Sequence, residues 1–82
     1  NNAININGTT GIVKAGDGAN AVTINGTNGT INSGKVTVNG AAGTVNNLTN
    51  ITWDGKNFTS GQAATEDQLK IVDKKSLTTA LT

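Results

Sequence analysis

Few side chains in this sequence are of the kinds that do chemistry, and the carboxylates come first among them. The 82 residues include no His and no Cys, so catalysis by an imidazole or a thiolate is excluded. Glu66 and Asp67 are adjacent, but adjacent helix positions point in different directions and make no pair for general acid–base catalysis. Asp54 has no acidic neighbour closer than Glu66. We therefore expect a protein that is not an enzyme.

The loop GDGAN at 16–20 is the candidate for holding a cation. A Ca²⁺ ion requires about six or more oxygen ligands from a spaced set of carboxylates and carbonyls. This loop offers a single carboxylate, Asp17, and is typical of a turn. No glycine-rich stretch has the spacing before Lys-Ser/Thr that cradles a phosphate. We expect neither a metal ion nor a cofactor.

Six Asn-x-Thr triplets are the candidates for covalent modification. They begin at Asn7, Asn25, Asn28, Asn47, Asn50 and Asn57. In a secreted eukaryotic protein such triplets are glycan acceptors. Here Asn suits turns and Thr suits strands, so composition alone accounts for the triplets.

Charge and hydropathy restrict the partners. Six Lys oppose five acidic residues, and no aromatic side chains are interleaved with them, so a nucleic-acid partner is not expected. No apolar run approaches the ~18 residues of a membrane span. The sequence has no signal peptide and begins in mid-pattern. We expect a piece of a longer protein.

Three copies of one small unit organise residues 1–48. AININGTTGIV, AVTINGTNGTI and KVTVNGAAGTV start at Ala3, Ala21 and Lys35, which are 18 and 14 residues apart. Each unit has an apolar residue at every second position and then [IV]-N-G-x-x-G, which predicts a strand followed by a hairpin turn. We predict about six short antiparallel strands in a meander, with Asn-Gly at positive φ in the turns.

Such a sheet has one apolar face that something must cover. The sequence offers no second sheet and no long amphipathic helix for this purpose, but symmetric copies of the chain would serve. Three sheets closed around an axis would form a prism. The alternative is a monomeric β-solenoid or sandwich piece of a larger protein.

A helix is predicted to begin after Thr65, in the segment 66–82. Thr65 and Gln68 fit a capping box, and Glu66 and Asp67 suit the positive end of the helix dipole. The helix is predicted to extend to about Ala80; the alternative is that it ends near Lys75 and that SLTTALT begins another element. An isolated helix of this length is only marginally stable in water. Its apolar residues predict a coiled-coil core with an imperfect heptad register. The predicted core positions are Leu69, Val72 and Leu77.

The single Trp and the single Phe lie between the sheet and the helix. A change from three wide sheets to a narrow helical bundle leaves a gap at the axis. Trp53 and Phe58 are large enough to fill it, with Leu48 beside them, since each aromatic side chain buries about 150–250 Å². The alternative is that Trp53 is an exposed anchor for a ligand.

The stretch LTNITWD followed by SGQAATEDQLK resembles the trimeric autotransporter adhesins of Gram-negative bacteria. The resemblance covers residues 48–70 and implies a homotrimer in which Trp53 joins a tryptophan ring. It also implies that residues 59–69 form a neck and that Leu69 enters a coiled-coil stalk. The short connection DGKNFTS and the imperfect heptads depart from that family.

The interpretation is a mainly-β, homotrimeric β-prism at 1–48, a Trp-containing connector and neck at 49–65, and a helix at 66–82 that starts a trimeric coiled coil. The resemblance implies a bacterial surface adhesin segment, exported to the outer membrane, that supports attachment to a host cell-surface or matrix protein. It also implies that the segment is attached to a membrane only through an anchor domain outside these residues. The ligand-binding residues stay unknown. Alternatives are a stalk spacer that touches no ligand and a trimeric fibre protein like those of phage tails.

Overall fold

The structure is a computed structural model that describes residues 3–81, with side-chain burial described as far as Thr78. The chain divides into two compact units, Asn1–Leu48 and Thr49–Thr82. The first is a β-sheet, and the second contains an extended connector and one helix. Thr82, the end of the predicted helical segment, lies outside the described residues.

The first unit is one six-stranded antiparallel sheet. Its strands are β1 (Ile4–Asn7), β2 (Ile12–Ala15), β3 (Val22–Asn25), β4 (Thr30–Ser33), β5 (Val36–Asn39) and β6 (Thr44–Asn46). Their order in the sheet is their order in the chain. The predicted mainly-β meander is therefore confirmed. Each strand is short because a turn residue follows after three or four positions.

The turns of the three repeats differ from the prediction. Each is a four-residue connection, and the positive φ falls on its last glycine: Gly11 (73°), Gly29 (75°) and Gly43 (74°). In each turn that glycine donates its N–H to the carbonyl of the Asn four residues earlier, at 2.8–2.9 Å. The expectation of positive φ at the Asn-Gly pairs is wrong. The Asn instead ends the strand, and the last glycine reverses the chain.

The first glycine of the repeat has a different role, which depends on the neighbouring turn. Gly26 donates its N–H to Gly11 O at 2.9 Å, and Gly40 donates to Gly29 O at 2.7 Å. A Cβ on Gly40 would stand 2.8 Å from Gly29 O, and one on Gly26 would stand 3.3 Å from Gly11 O. Successive turns therefore lie side by side at one end of the sheet, close enough to exclude a side chain.

The second unit contains the helix α1 (Glu66–Leu81). Gln68 N donates to Thr65 Oγ1 at 3.2 Å, and Thr65 N donates to Gln68 Oε1 at 3.1 Å. This reciprocal pair is a capping box. Glu66 and Asp67 occupy the first turn. Within residues 3–81, no helix is both long and apolar enough to cross a membrane.

Candidate assembly surfaces

One face of the sheet carries a continuous apolar row. The strand registers align one apolar side chain from each strand, so that the row crosses the whole sheet. Its members are Ile6, Val13, Ile24, Ile31, Val38 and Val45. All except Val13 are exposed, from 38% at Val38 to 73% at Ile6. This row and the second row described next together form the surface that we name the apolar face.

A second row on the same face is also largely apolar. It aligns Ile4, Ala15, Val22, Ser33 and Val36. The opposite face has a polar row of Asn5, Lys14, Thr23, Asn32, Thr37 and Asn46. Because strand residues alternate between faces, this separation follows from the period of two in the sequence.

Most side chains of the apolar face are exposed in a single chain. Within residues 3–78, no side chain is buried. Water contact with apolar surface costs about 25 cal/mol per Å² relative to burial, and a sheet with one apolar side needs a partner layer to be stable. The apolar face is therefore a surface of this unit that favours contact with another protein surface.

Trp53 and Phe58 are close to each other in the second unit. Their ring centroids are 6.2 Å apart and their planes are inclined by 47°, a separation within the range of favourable aromatic pairs. Trp53 is half-buried, whereas Phe58 is 70% exposed. The pair thus places the exposed ring of Phe58 next to the half-buried ring of Trp53.

An open cavity of about 680 Å³ lies beside these rings. Its lining includes Trp53, Phe58, Lys56, Gln62 and Gln68. The lining thus combines amide groups and a Lys with two aromatic rings, so it is both polar and apolar. The hydroxyl groups of Thr52, Thr59 and Ser60 also line it.

Asn50 ties the Trp-containing segment to the start of α1. Asn50 Nδ2 donates to Ala63 O at 2.7 Å and to Gln68 Oε1 at 3.1 Å, and Thr65 Oγ1 donates to Asn50 O at 2.9 Å. Gln68 Nε2 also donates to Thr52 O at 2.9 Å. The capping residues therefore serve two purposes, since they start the helix and fix the connector against it.

The sequence reasoning missed Asn50 as a structural residue. The sequence pattern identifies Asn50 only as the first residue of an Asn-x-Thr triplet. No local pattern reveals its role, because its partners lie 13 to 18 residues away. Asn57, another triplet residue, also has a structural role, since it donates its Nδ2 to Asp54 Oδ2, three residues earlier, at 2.6 Å.

Asp54 closes the turn after Trp53. Its Oδ1 accepts hydrogen bonds at 2.8 Å from the backbone N–H groups of Lys56 and Asn57, and Gly55 has a φ of 81°. The N–H of Asn57, the N–H of Lys56 and the Asn57 amide lower the pKa of Asp54 from 3.8 to about 2. These donors stabilise the ionised carboxylate, which here organises a turn.

The predicted core positions of α1 are exposed in a single chain. Leu69 is 66%, Val72 43% and Leu77 61% exposed, whereas Ile71 is half-buried. Leu69 and Val72 are three residues apart and share one side of the helix, and Leu77 breaks this spacing. Leu48, the last residue of the first unit, is half-buried.

The loop around Asp17 is built as a turn. Gly16 and Gly18 have φ values of 90° and 86°, and Ala21 N donates to Gly18 O at 3.3 Å. In the part of the chain that the structure describes, no three His, Cys, Asp or Glu residues cluster in a way that could hold a metal ion.

Comparison of the chain with protein families, curated proteins and solved structures finds no match.

Proposed function

We propose that the chain is a homotrimeric structural module of a bacterial surface adhesin, in which three sheets cover one another's apolar faces. The observation that carries this proposal is the apolar row that crosses all six strands and is exposed in five of its six positions. A row of this length, on a chain whose residues 3–78 include no buried side chain, favours an obligate assembly of copies over a monomer.

Two arguments favour three copies over two. One is the resemblance at residues 48–70, and the other is that three sheets can close around an axis. Three equivalent sheets around one axis would enclose their inner faces. This arrangement is the β-prism that the sequence analysis predicts. Cyclic symmetry makes the three contacts identical and closes the assembly without leaving an open apolar side. On this proposal the described sheet is one wall of the prism.

The second unit would contribute through its exposed apolar groups. Phe58, Leu69 and Val72 would enter contacts with the other two chains, and Trp53 would take part in the ring that the resemblance implies. The open cavity beside Trp53 and Phe58 supports this, because a segment of a neighbouring chain would fill it. α1 would start the stalk, in which three helices shield their apolar sides from water.

The function is mechanical and multivalent. Three identical chains present three identical outer faces, so several weak contacts to a host cell-surface or matrix protein act together. For this segment the spacer role has the specific support that the polar row holds only Asn, Thr and Lys. A binding surface is usually enriched in aromatic residues, and none lies in that row.

Assembly is tested by sedimentation equilibrium of the 82-residue chain, alone and with a trimerising helix in register after Thr82. The expected mass is three times the 8.2 kDa chain mass. Ile31→Lys places a charge on the apolar face and is expected to reduce the mass to that of a monomer. The matched control is Asn32→Lys, which places the same charge on the opposite face and leaves a trimer.

A folded monomer without the added helix would overturn the assembly, and so would a trimer that tolerates Ile31→Lys. An unfolded monomer that becomes a folded trimer with the added helix would support it, and would mean that the stalk holds the three chains together.

Adhesion is tested separately, by measuring binding of the folded trimer to immobilised extracellular-matrix proteins and to cultured host cells. Saturable binding that a monomeric Ile31→Lys sample loses would support an adhesive role through multivalency. No binding above that of a bare surface would overturn the adhesive role and leave the spacer.

A further inference from the structure

We propose that the hydrogen bonds around Asn50 form a force-bearing lock, which closes residues 51–64 into a loop of stored length that tension along the chain releases. We call these bonds the polar lock. They lie within one chain, so the inference does not depend on the homotrimer proposed above. It adds to the spacer role a property that a rigid spacer lacks, which is a defined extension under tension.

The polar lock joins positions that are far apart in the sequence. Asn50 Nδ2 donates to Ala63 O at 2.7 Å and to Gln68 Oε1 at 3.1 Å, and Thr65 Oγ1 donates to Asn50 O at 2.9 Å. Gln68 Nε2 donates to Thr52 O at 2.9 Å. Asn50, Thr65 and Gln68 are half-buried, and hydrogen bonds are stronger where the protein partly excludes water. The two ends of the loop are therefore held to each other directly.

The loop 51–64 has little packing of its own. Of its 14 residues, Trp53 is half-buried and the others are exposed. Hydrogen bonds inside the loop close short turns, as at Asp54, whose Oδ1 accepts the backbone N–H groups of the residues two and three positions later. Such bonds do not join one end of the loop to the other. The polar lock is therefore what keeps the ends of the loop together.

The direction of the connector along α1 decides how tension acts on the lock. Thr52 O accepts from Gln68 Nε2 near the start of the helix. Trp53 O accepts from Lys75 Nζ at 3.5 Å, about two helical turns further along. The connector and the helix thus run the same way. Tension that pulls the start of the connector away from the end of α1 loads these bonds side by side, so they resist together and then open together.

The stored length follows from chain geometry. Asn50 and Thr65 are 15 positions apart in the sequence and in hydrogen-bond contact in the structure. An extended chain spans about 3.3–3.6 Å per residue, so opening of the lock adds about 45 Å. Unfolding of α1 from its start to Thr78 adds only about 25 Å, because a helix already rises 1.5 Å per residue. The two events therefore differ in length.

The experiment stretches the second unit between two cysteine handles with optical tweezers. Thr49→Cys and Thr78→Cys place the handles at exposed positions on either side of the lock, in a chain that has no Cys of its own. The labelled chain is refolded with an excess of unmodified chain, so that an assembly carries the handles on one chain. One reversible extension step of about 45 Å is expected.

Asn50→Ala tests which bonds hold the loop closed. It removes both bonds that Asn50 Nδ2 donates. The opening rate at a fixed force is expected to rise about 30-fold, the ratio that two net hydrogen bonds give. The matched control is Asn57→Ala, which removes an amide whose bond to Asp54 Oδ2 lies inside the loop. Its opening rate and its step length are expected to equal those of the unmodified chain.

Several outcomes would overturn the proposal. One is a gradual extension of the unmodified chain without a step, and another is a single step of about 25 Å, which corresponds to the helix alone. Equal opening rates in Asn50→Ala and Asn57→Ala would overturn it as well. If Asn50→Ala does not fold, the unmodified chain decides, since a reversible step of about 45 Å supports the lock and its absence excludes it.

Discussion

At the scale of single residues, short polar side chains hold the irregular parts of this protein. Asn7 and Asn25 use a side-chain oxygen to accept the backbone N–H groups of the turn that follows, and Asp54 does the same after Trp53. Such bonds replace partners that a turn cannot provide from its own backbone. A carboxylate in this position gives the turn a dependence on pH, which an amide does not.

We expect an NMR titration of the Asp54 carboxyl group to give a pKa of about 2, below the ordinary 3.8. Because the folded-state pKa is lowered, the contribution of Asp54 to stability is present above the unfolded value of 3.8. It is lost as the pH falls through the folded value of about 2. Asn57→Ala removes the side-chain donor but keeps the backbone N–H, so it should raise the pKa partway. A titration midpoint at 3.8 in the unmodified chain would contradict this reading of the turn.

At the scale of elements, contacts between turns set how the strands meet. Each stacked turn brings two glycine backbones together, so one glycine serves the chain reversal and another serves the close approach. The repeated N-G-x-x-G unit therefore combines two requirements for glycine that have different physical causes. Substitutions can separate them.

Gly40→Ala is expected to lower the free energy of unfolding by about 1–3 kcal/mol, the usual cost of overpacking. Its Cβ would stand 2.8 Å from the backbone oxygen of Gly29, which cannot move without displacing the turn. Gly8→Ala is the matched control, since its Cβ has open space, and it should be neutral or slightly stabilising. Thermal or urea unfolding checks both. Equal effects of the two substitutions would mean that turn stacking does not contribute to stability.

The start of α1 is a second case at this scale. Thr65→Ala removes the hydroxyl that accepts from Gln68 N and donates to Asn50 O. It should cost about 1–2 kcal/mol per chain, measured by unfolding monitored by circular dichroism. The control is Thr78→Ala, because the Thr78 hydroxyl donates only to Lys74 O within the helix and such bonds add little. No loss of stability in Thr65→Ala would mean that the helix does not depend on this cap.

At the scale of the whole molecule, each unit has its own exposed apolar groups. The first unit exposes the apolar face, and the second exposes Phe58 and the apolar residues of α1. A chain with no buried side chain among its described residues lacks the core that usually stabilises a domain of this size. The homotrimer proposed above would supply that core between chains.

Trp53→Ala is expected to lower the melting temperature of the trimer markedly, corresponding to about 3 kcal/mol per chain, because truncation of a packed aromatic side chain leaves a cavity. Differential scanning calorimetry at several protein concentrations measures it. Lys70→Ala, at an exposed position of α1, serves as the control and should have little effect. If the Trp53→Ala variant has the same melting temperature as the unmodified protein, an internal tryptophan ring is excluded.

The sequence by itself determined the local structure of this protein. The alternation of Val22, Ile24, Val36 and Val38 with polar residues predicted strands, and the glycine-containing breaks between them predicted a meander. Both signals act over a few residues, which is the range of backbone sterics and of side-chain alternation. The Thr65–Gln68 pair likewise predicted the helix start, since a capping box depends only on neighbouring residues.

Only the tertiary structure decided which residues make contacts with residues that are distant in the sequence. Asn50 and Thr52 receive their roles from partners in the 63–68 segment, and Gly26 and Gly40 receive theirs from a neighbouring turn. The strand registers, which are interactions between strands, produced one unbroken apolar row out of six separate residues. Composition and spacing do not specify such contacts, because they arise only when the folded backbone brings distant residues within a few ångströms.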